Sequence, residues 1–254
     1  MQVSNQKVYQ FRSGRASSAN RRISHNDPTH ELPDVPVLSG TLLSMELAIG
    51  QRSADLAQVS QLVLSDLGAT LQILRQAGRE NSIDSHLQRV EDCIVELGLE
   101  GCLDVIAKCP IASGPRFNSV YSAWERARET AFIARFVAEK NDLNVSAEDA
   151  YLVGLAHGIG SLPKILGWDC MSQFGDDSDL AGLRIAEAWH LPHCISEYFL
   201  IRMAGKSQTE WTKIVDCALD LFEGRPSASL RDKSILLPFN PSEKNPRATS
   251  QQPA

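Results

Sequence analysis

The sequence predicts an all-α fold built as a two-lobed helical bundle, on three observations. Apolar residues recur at three- and four-residue spacing from Leu32 to about Gly224. Gly, Pro, Ser and Asp punctuate that text at helix-length intervals, and no alternating β-run or hairpin turn interrupts it. The two ends depart from the pattern. Residues 1–30 are rich in Ser, Asn, Gln and Arg without an apolar period, and residues 224–254 finish in NPSEKNPRATSQQPA, so both are expected to be extended or disordered. The short run SILLPF before that finish is expected to dock back on the body or to bind a partner as a linear segment.

The first lobe is expected over residues 31–110. Leu38, Leu42, Met45 and Ile49 share one helical face that Gly50 stops, and Ser53 is read as the cap of a second run through Leu56, Val59, Leu62 and Val63. Asp66 is placed to cap a third helix, with Leu67, Leu71 and Leu74 on one face before Gly78. RVEDCIVELG and LEGCLDVIAKC read as a further pair, which Pro110 and the SGPR turn close.

The second lobe is expected over residues 116–223 and opens with a long helix, NSVYSAWERARETAFIARFVAEKN. Its Val120, Trp124, Ala127, Ala131, Ala134 and Val137 or Ala138 make a narrow face of mostly small residues, which lets a neighbouring helix approach closely. Ser146 and Asp149 form a capping-box pattern before AYLVGLAHGIG. Three more helices follow around DLAGLRIAEAWHL, PHCISEYFLIRMAG and EWTKIVDCALDLFEG.

Composition narrows the function classes. With 254 residues and 43% hydrophobic content, the chain can bury a sizeable core. No apolar run approaches the roughly 20 residues of a membrane span, and the start lacks the apolar segment of a signal peptide, so a cytoplasmic location with no membrane partner is expected. Six cysteines stand singly and never as C-x-x-C, which points to buried reduced thiols. Residues 1–26 hold five basic residues and no acid, leaving −11 on residues 27–254 out of −6 for the whole chain. An acidic body repels a phosphate backbone and disfavours nucleic-acid binding, although the basic arm can touch an anionic partner. HGIGSL contains G-x-G, but after a helix and without the third glycine, so no nucleotide cofactor is implied. Glu125 and Glu129 lie one turn apart beside Arg126 and Arg128, which reads as a salt-bridged face rather than a carboxylate pair for catalysis.

Five blocks in order, ELPDVPVLSGTLLSM, SADLAQVSQLVLSDLGATLQILRQAG, RVEDCIVELGLEGCLDVI, AYLVGLAHGIGSL and RIAEAWHLPHCISEYF, resemble the HDOD domain over roughly residues 31–223. The resemblance implies an HD-domain-like second lobe, related to metal-dependent HD phosphohydrolases, and a role in bacterial signalling without demonstrated hydrolysis. Set against the HD pattern, the first histidine falls near Arg126 and the His-Asp pair on His157 and Gly158. The later aspartate falls near Leu219, close to Asp216 and Asp220, and Arg202 and Met203 stand where HDOD relatives often carry histidines.

Arginine stays protonated and offers no lone pair, so the ligand count implied by that alignment is too small for a catalytic metal. The sequence is therefore read as a non-catalytic signal-transduction module acting through a protein partner. No catalytic residue, metal ligand or cofactor is assigned to it, and Arg126, His157 and Arg202 mark a vestigial pocket or a site for a small anionic ligand. Two alternatives stay open: a phosphohydrolase using His157, Asp216 or Asp220, and Glu129, or a metal-free anion or nucleotide sensor. For the arginines, the ordinary expectation is internal neutralisation by Glu129, Glu125 or Asp216.

Overall fold

The computed structural model describes residues 32–50, 55–80, 89–141, 143–174, 176–205 and 209–225. The basic arm, Ser53 and the SILLPF run lie outside them. The first lobe consists of α1 (Ser39–Gly50), α2 (Leu56–Leu64), α3 (Leu67–Glu80) and α4 (Val90–Lys108). The second consists of α5 (Phe117–Lys140), α6 (Ala147–Ala156), α7 (Leu162–Leu166), α8 (Ser178–Ala188), α9 (His193–Met203) and α10 (Glu210–Phe222). Among the described residues the fold is all-α; its strand-like feature is an isolated parallel bridge between Val37 and Ile111. There Val37 N donates to Pro110 O at 2.9 Å and Ala112 N to Val37 O at 2.9 Å, pinning the inter-lobe connection to the entry of α1.

Local chemistry departs from the sequence reading at three places. The cap of α2 is Asp55, whose carboxylate accepts Gln58 N at 2.7 Å. The expected helix pair is one element, α4, broken at Gly98, whose φ of 70° glycine adopts without steric cost. Short α7 and the 3-10 turns Ile159–Ser161 and Asp169–Phe174 fill what reads as loop, being too short to show a period.

Asp66 caps α3 as expected and does more. Its side chain is fully buried; Oδ1 accepts Gly68 N at 2.9 Å, Ala69 N at 3.2 Å and Trp124 Nε1 at 2.9 Å, while Oδ2 accepts Leu38 N at 2.7 Å. One carboxylate thus ties the start of α1, the start of α3 and the middle of α5. Burial pushes its carboxyl above the usual range, and these donors pull it back. Tyr151 adds a second bond between lobes, its hydroxyl donating to Leu64 O at 2.9 Å. The apolar core is continuous across this junction, running from Leu71, Ile94 and Ile106 to Trp124, Leu155 and Phe199.

The small-residue face of α5 is buried as the sequence predicts. A Cβ on Gly154 of α6 would lie 2.8 Å from Ala131 Cα, so glycine there permits near backbone contact between the two helices. α10 packs on the same pair, and its Ile214, Cys217 and Ala218 close a smaller apolar cluster with Ala134, Val137 and Ala150. The six cysteines are free; Cys93, Cys102, Cys194 and Cys217 are buried, Cys109 is partly so, and Cys170 is exposed against expectation. Burial pushes the Cys93, Cys109 and Cys194 thiols up to about 12, which suppresses thiolate chemistry.

Candidate functional site

α6 delivers His157 to the position just after its last turn, and the glycines beyond have different tasks. A Cβ on Gly160 would sit 1.7 Å from Ser178 O and 2.9 Å from Gly182 N, so glycine there seats the turn against the start of α8. Gly158 has an unstrained φ of −97°, and a Cβ there would meet nothing within 4 Å. The position next to His157 is thus open space. His157 Nδ1 lies 2.7 Å from Gly154 O, and because a carbonyl can only accept, Nδ1 carries the proton and Nε2 the lone pair. Burial foremost, with the charges of Arg126 and Arg202 acting the same way and the bond to Gly154 opposing them, lowers the pKa of the ring to about 4. The imidazole is neutral at physiological pH.

His157 lines a cleft of about 430 Å³ enclosed by α5, α7, α8, α9 and α10. Arg126 and Arg202 line the same cleft, so the three residues singled out in the sequence converge on one space. Its other walls include Leu67, Ala123, Ile165 and Leu219, with Asp179 and the buried Tyr198. A second cavity of about 310 Å³ lies between α3 and α4, walled by Gln72, Arg75, Arg79, Asp104 and Lys108 among others; Cys109 there is a thiol held protonated by burial.

Both cleft arginines are neutralised within the chain, though mostly by other acids than expected. Arg126 Nη2 bonds Glu223 at 2.7 Å, whereas Glu129 bonds the neighbouring Arg128 at 3.1 Å. Arg202 Nε bonds Asp179 at 3.1 Å, its Nη1 stands 3.7 Å from Asp216, and its guanidinium lies 5.9 Å from the Tyr198 ring centre. Of the anticipated partners, Asp216 is the one used. Arg126 is 46% exposed and Arg202 36%, so each pair contributes about 0–1 kcal/mol to stability. Arg225 extends the network, 2.5 Å from Glu223 and 3.4 Å from Asp220. Three arginines thus face four carboxylates at the rim, and the local balance is slightly acidic.

Among the described residues no group of three or more His, Cys, Asp or Glu is placed to hold a metal ion. The alternative ligand set is not assembled, because Asp216 faces Arg202 and Glu129 is engaged by Arg128 away from the cleft lining. One neutral imidazole flanked by two guanidinium groups does not fit a divalent cation.

The sequence matches the HDOD domain over residues 35–166. No curated protein matches it. Among solved structures, the chain is similar to a fragment (20–298) of the MmoQ response regulator from Methylococcus capsulatus str. Bath. The TM-score is 0.62 at 16% identity, covering 79% of this chain and 89% of that one. Another structure of MmoQ gives 0.60 at 17% identity, covering 78% and 89%. A virulence factor, cj0248, from Campylobacter jejuni subsp. jejuni gives 0.54 at 14% identity, covering 73% of this chain and 76% of that one. At these identities the likeness is one of fold. Among the described residues no helix is long and apolar enough to cross a membrane.

Proposed function

The chain belongs to the HDOD domain family, and from that premise we propose that it is a non-catalytic regulatory module of bacterial signalling that acts by contacting a protein partner. Its cleft is then a metal site that has lost its ligands. The observation that carries the reading is the arrangement around His157: two carboxylate-paired arginines, and open space at Gly158 where a neighbouring carboxylate would stand. Without a bound divalent cation, water in the cleft has no charge to lower its pKa toward neutrality, and hydrolysis of a phosphoester lacks its nucleophile. The structurally similar MmoQ is named a response regulator and cj0248 a virulence factor, which fits a regulatory role.

Two measurements test this on the full chain. Cyclic dinucleotides and a chromogenic phosphodiester, incubated with Mg²⁺, Mn²⁺ or Fe²⁺, should show no turnover above buffer; saturable hydrolysis abolished by His157→Ala would overturn the non-catalytic assignment. A pull-down from the native cell extract should recover a specific protein. Recovery of a co-purifying small molecule and no protein would instead favour a metal-free anion sensor, for which the convergence of Arg126 and Arg202 is the supporting geometry and the slightly acidic rim the opposing one.

A further inference from the structure

The described chain leaves the second lobe at the rim of this same cleft. Arg225 N donates to Asp220 O at 2.7 Å, and the Arg225 guanidinium pairs with Glu223 and Asp220. Glu223 is also the partner of Arg126, and both Arg126 and Leu219 line the cleft. Two ion pairs of Arg225, with a third from Glu223 to Arg126, therefore hold residue 225 within about one and a half helical turns of a cleft wall. Residues 226–233 follow, and then comes SILLPF, residues 234–239, the one continuous apolar run outside the described residues. Eight residues span up to roughly 28 Å, ample to bring that run back over its own anchor.

The cleft suits such an occupant. Leu67, Ala123, Ile165 and Leu219 give it apolar walls, and its rim carries a slight excess of carboxylate. The tether brings Arg231 and Lys233 against Asp232, a small positive excess immediately before the apolar run. A tether of this length holds the run at a roughly millimolar effective concentration, which is enough for a modest apolar contact to persist.

We propose that residues 234–239 seat in the cleft around His157, so that the protein carries its own occupant there and an external partner binds by displacing it. The proposal rests on reading the cleft as a contact site. Its test is hydrogen–deuterium exchange on the full chain, comparing wild type with Ile235→Glu/Leu237→Glu. Amides of residues 157–166 should exchange about five-fold faster in the variant at an unchanged melting temperature. Equal exchange in the two proteins overturns the proposal, and so does wild-type protection that fades on dilution, because the segment then comes from a second copy. Ser161→Trp, which fills the cleft wall from an exposed position, is the reciprocal variant. It should speed exchange in residues 234–239, and unchanged exchange there counts against the seat. No partner enters these measurements, so their failure leaves the proposed regulatory function standing, and a failed pull-down leaves them readable.

Discussion

Replacing Asp66 separates a local helix cap from a tie between lobes. Asp66→Asn can place its amide oxygen where Oδ1 accepts Gly68 N, Ala69 N and Trp124 Nε1, but its NH₂ then faces the N–H of Leu38, which now donates to Oδ2 at 2.7 Å. One buried donor is left unmet, at a cost of about 2 kcal/mol. Asp66→Ala strands these four N–H donors and also removes the hydrogen-bond partner of the Thr41 side chain; with part of that cost offset by removing a buried carboxylate and by entry of water, the loss should be about 4–6 kcal/mol. Urea unfolding followed by far-ultraviolet circular dichroism measures both. Trp124→Phe should also cost less in the Asp66→Ala background than in wild type, because the indole N–H has already lost its acceptor. Asp66→Asn within about 0.5 kcal/mol of wild type, or Asp66→Ala no worse than Asp66→Asn, would refute the four-donor bookkeeping.

The neutral His157 makes stability depend on pH. Its folded pKa of about 4 lies below the ordinary imidazole value of 6.5, so the unfolded chain binds the extra proton first, and the contribution present above pH 6.5 is lost as pH falls toward 4. Wild type should therefore lose about 2–3 kcal/mol more than His157→Gln between pH 7 and 4.5 in parallel urea titrations; equal losses would mean the ring is not buried neutral. The two glycines of HGIGSL should respond oppositely to alanine. Gly160→Ala drives a Cβ into Ser178 O and should cost at least about 3 kcal/mol, whereas Gly158→Ala meets open space and should stay within about 0.5 kcal/mol of wild type. Arg126→Ala should shift stability by less than about 1 kcal/mol, since its pair with Glu223 is half exposed; a larger loss in thermal melts would show a buried network instead.

Those features were legible in the sequence to different depths. The long helices of the second lobe, the close-packing face of α5 and the Ser146 cap depend on residues three or four apart and stand where periodicity placed them, whereas α4 is one element where the sequence reads as a pair and α7 is too short to show a period. Asp66 was readable as a cap because the helical face of Leu67, Leu71 and Leu74 starts directly after it, but its bonds to Leu38 and Trp124, 28 and 58 residues away, have no local signature. The same holds at the cleft. Arg126, His157 and Arg202 could be singled out by their places in an ordered pattern, whereas Glu223, the acid that neutralises Arg126, lies 97 residues away and nearer carboxylates on α5 compete for attention. Gly160 belongs to a G-x-G that carries no nucleotide fingerprint and has no assigned task in the sequence; packing against α8 shows its role to be steric.

The central claim is that Arg126 and Gly158 leave His157 without the company a metal requires, and metal content tests it most directly. Purified full chain, equilibrated with Mn²⁺, Fe²⁺ or Zn²⁺ and desalted, should hold far less than one equivalent of any of them by plasma mass spectrometry, and His157→Ala should not change the value. A content near one metal per chain that falls with His157→Ala would contradict it and restore the hydrolase reading.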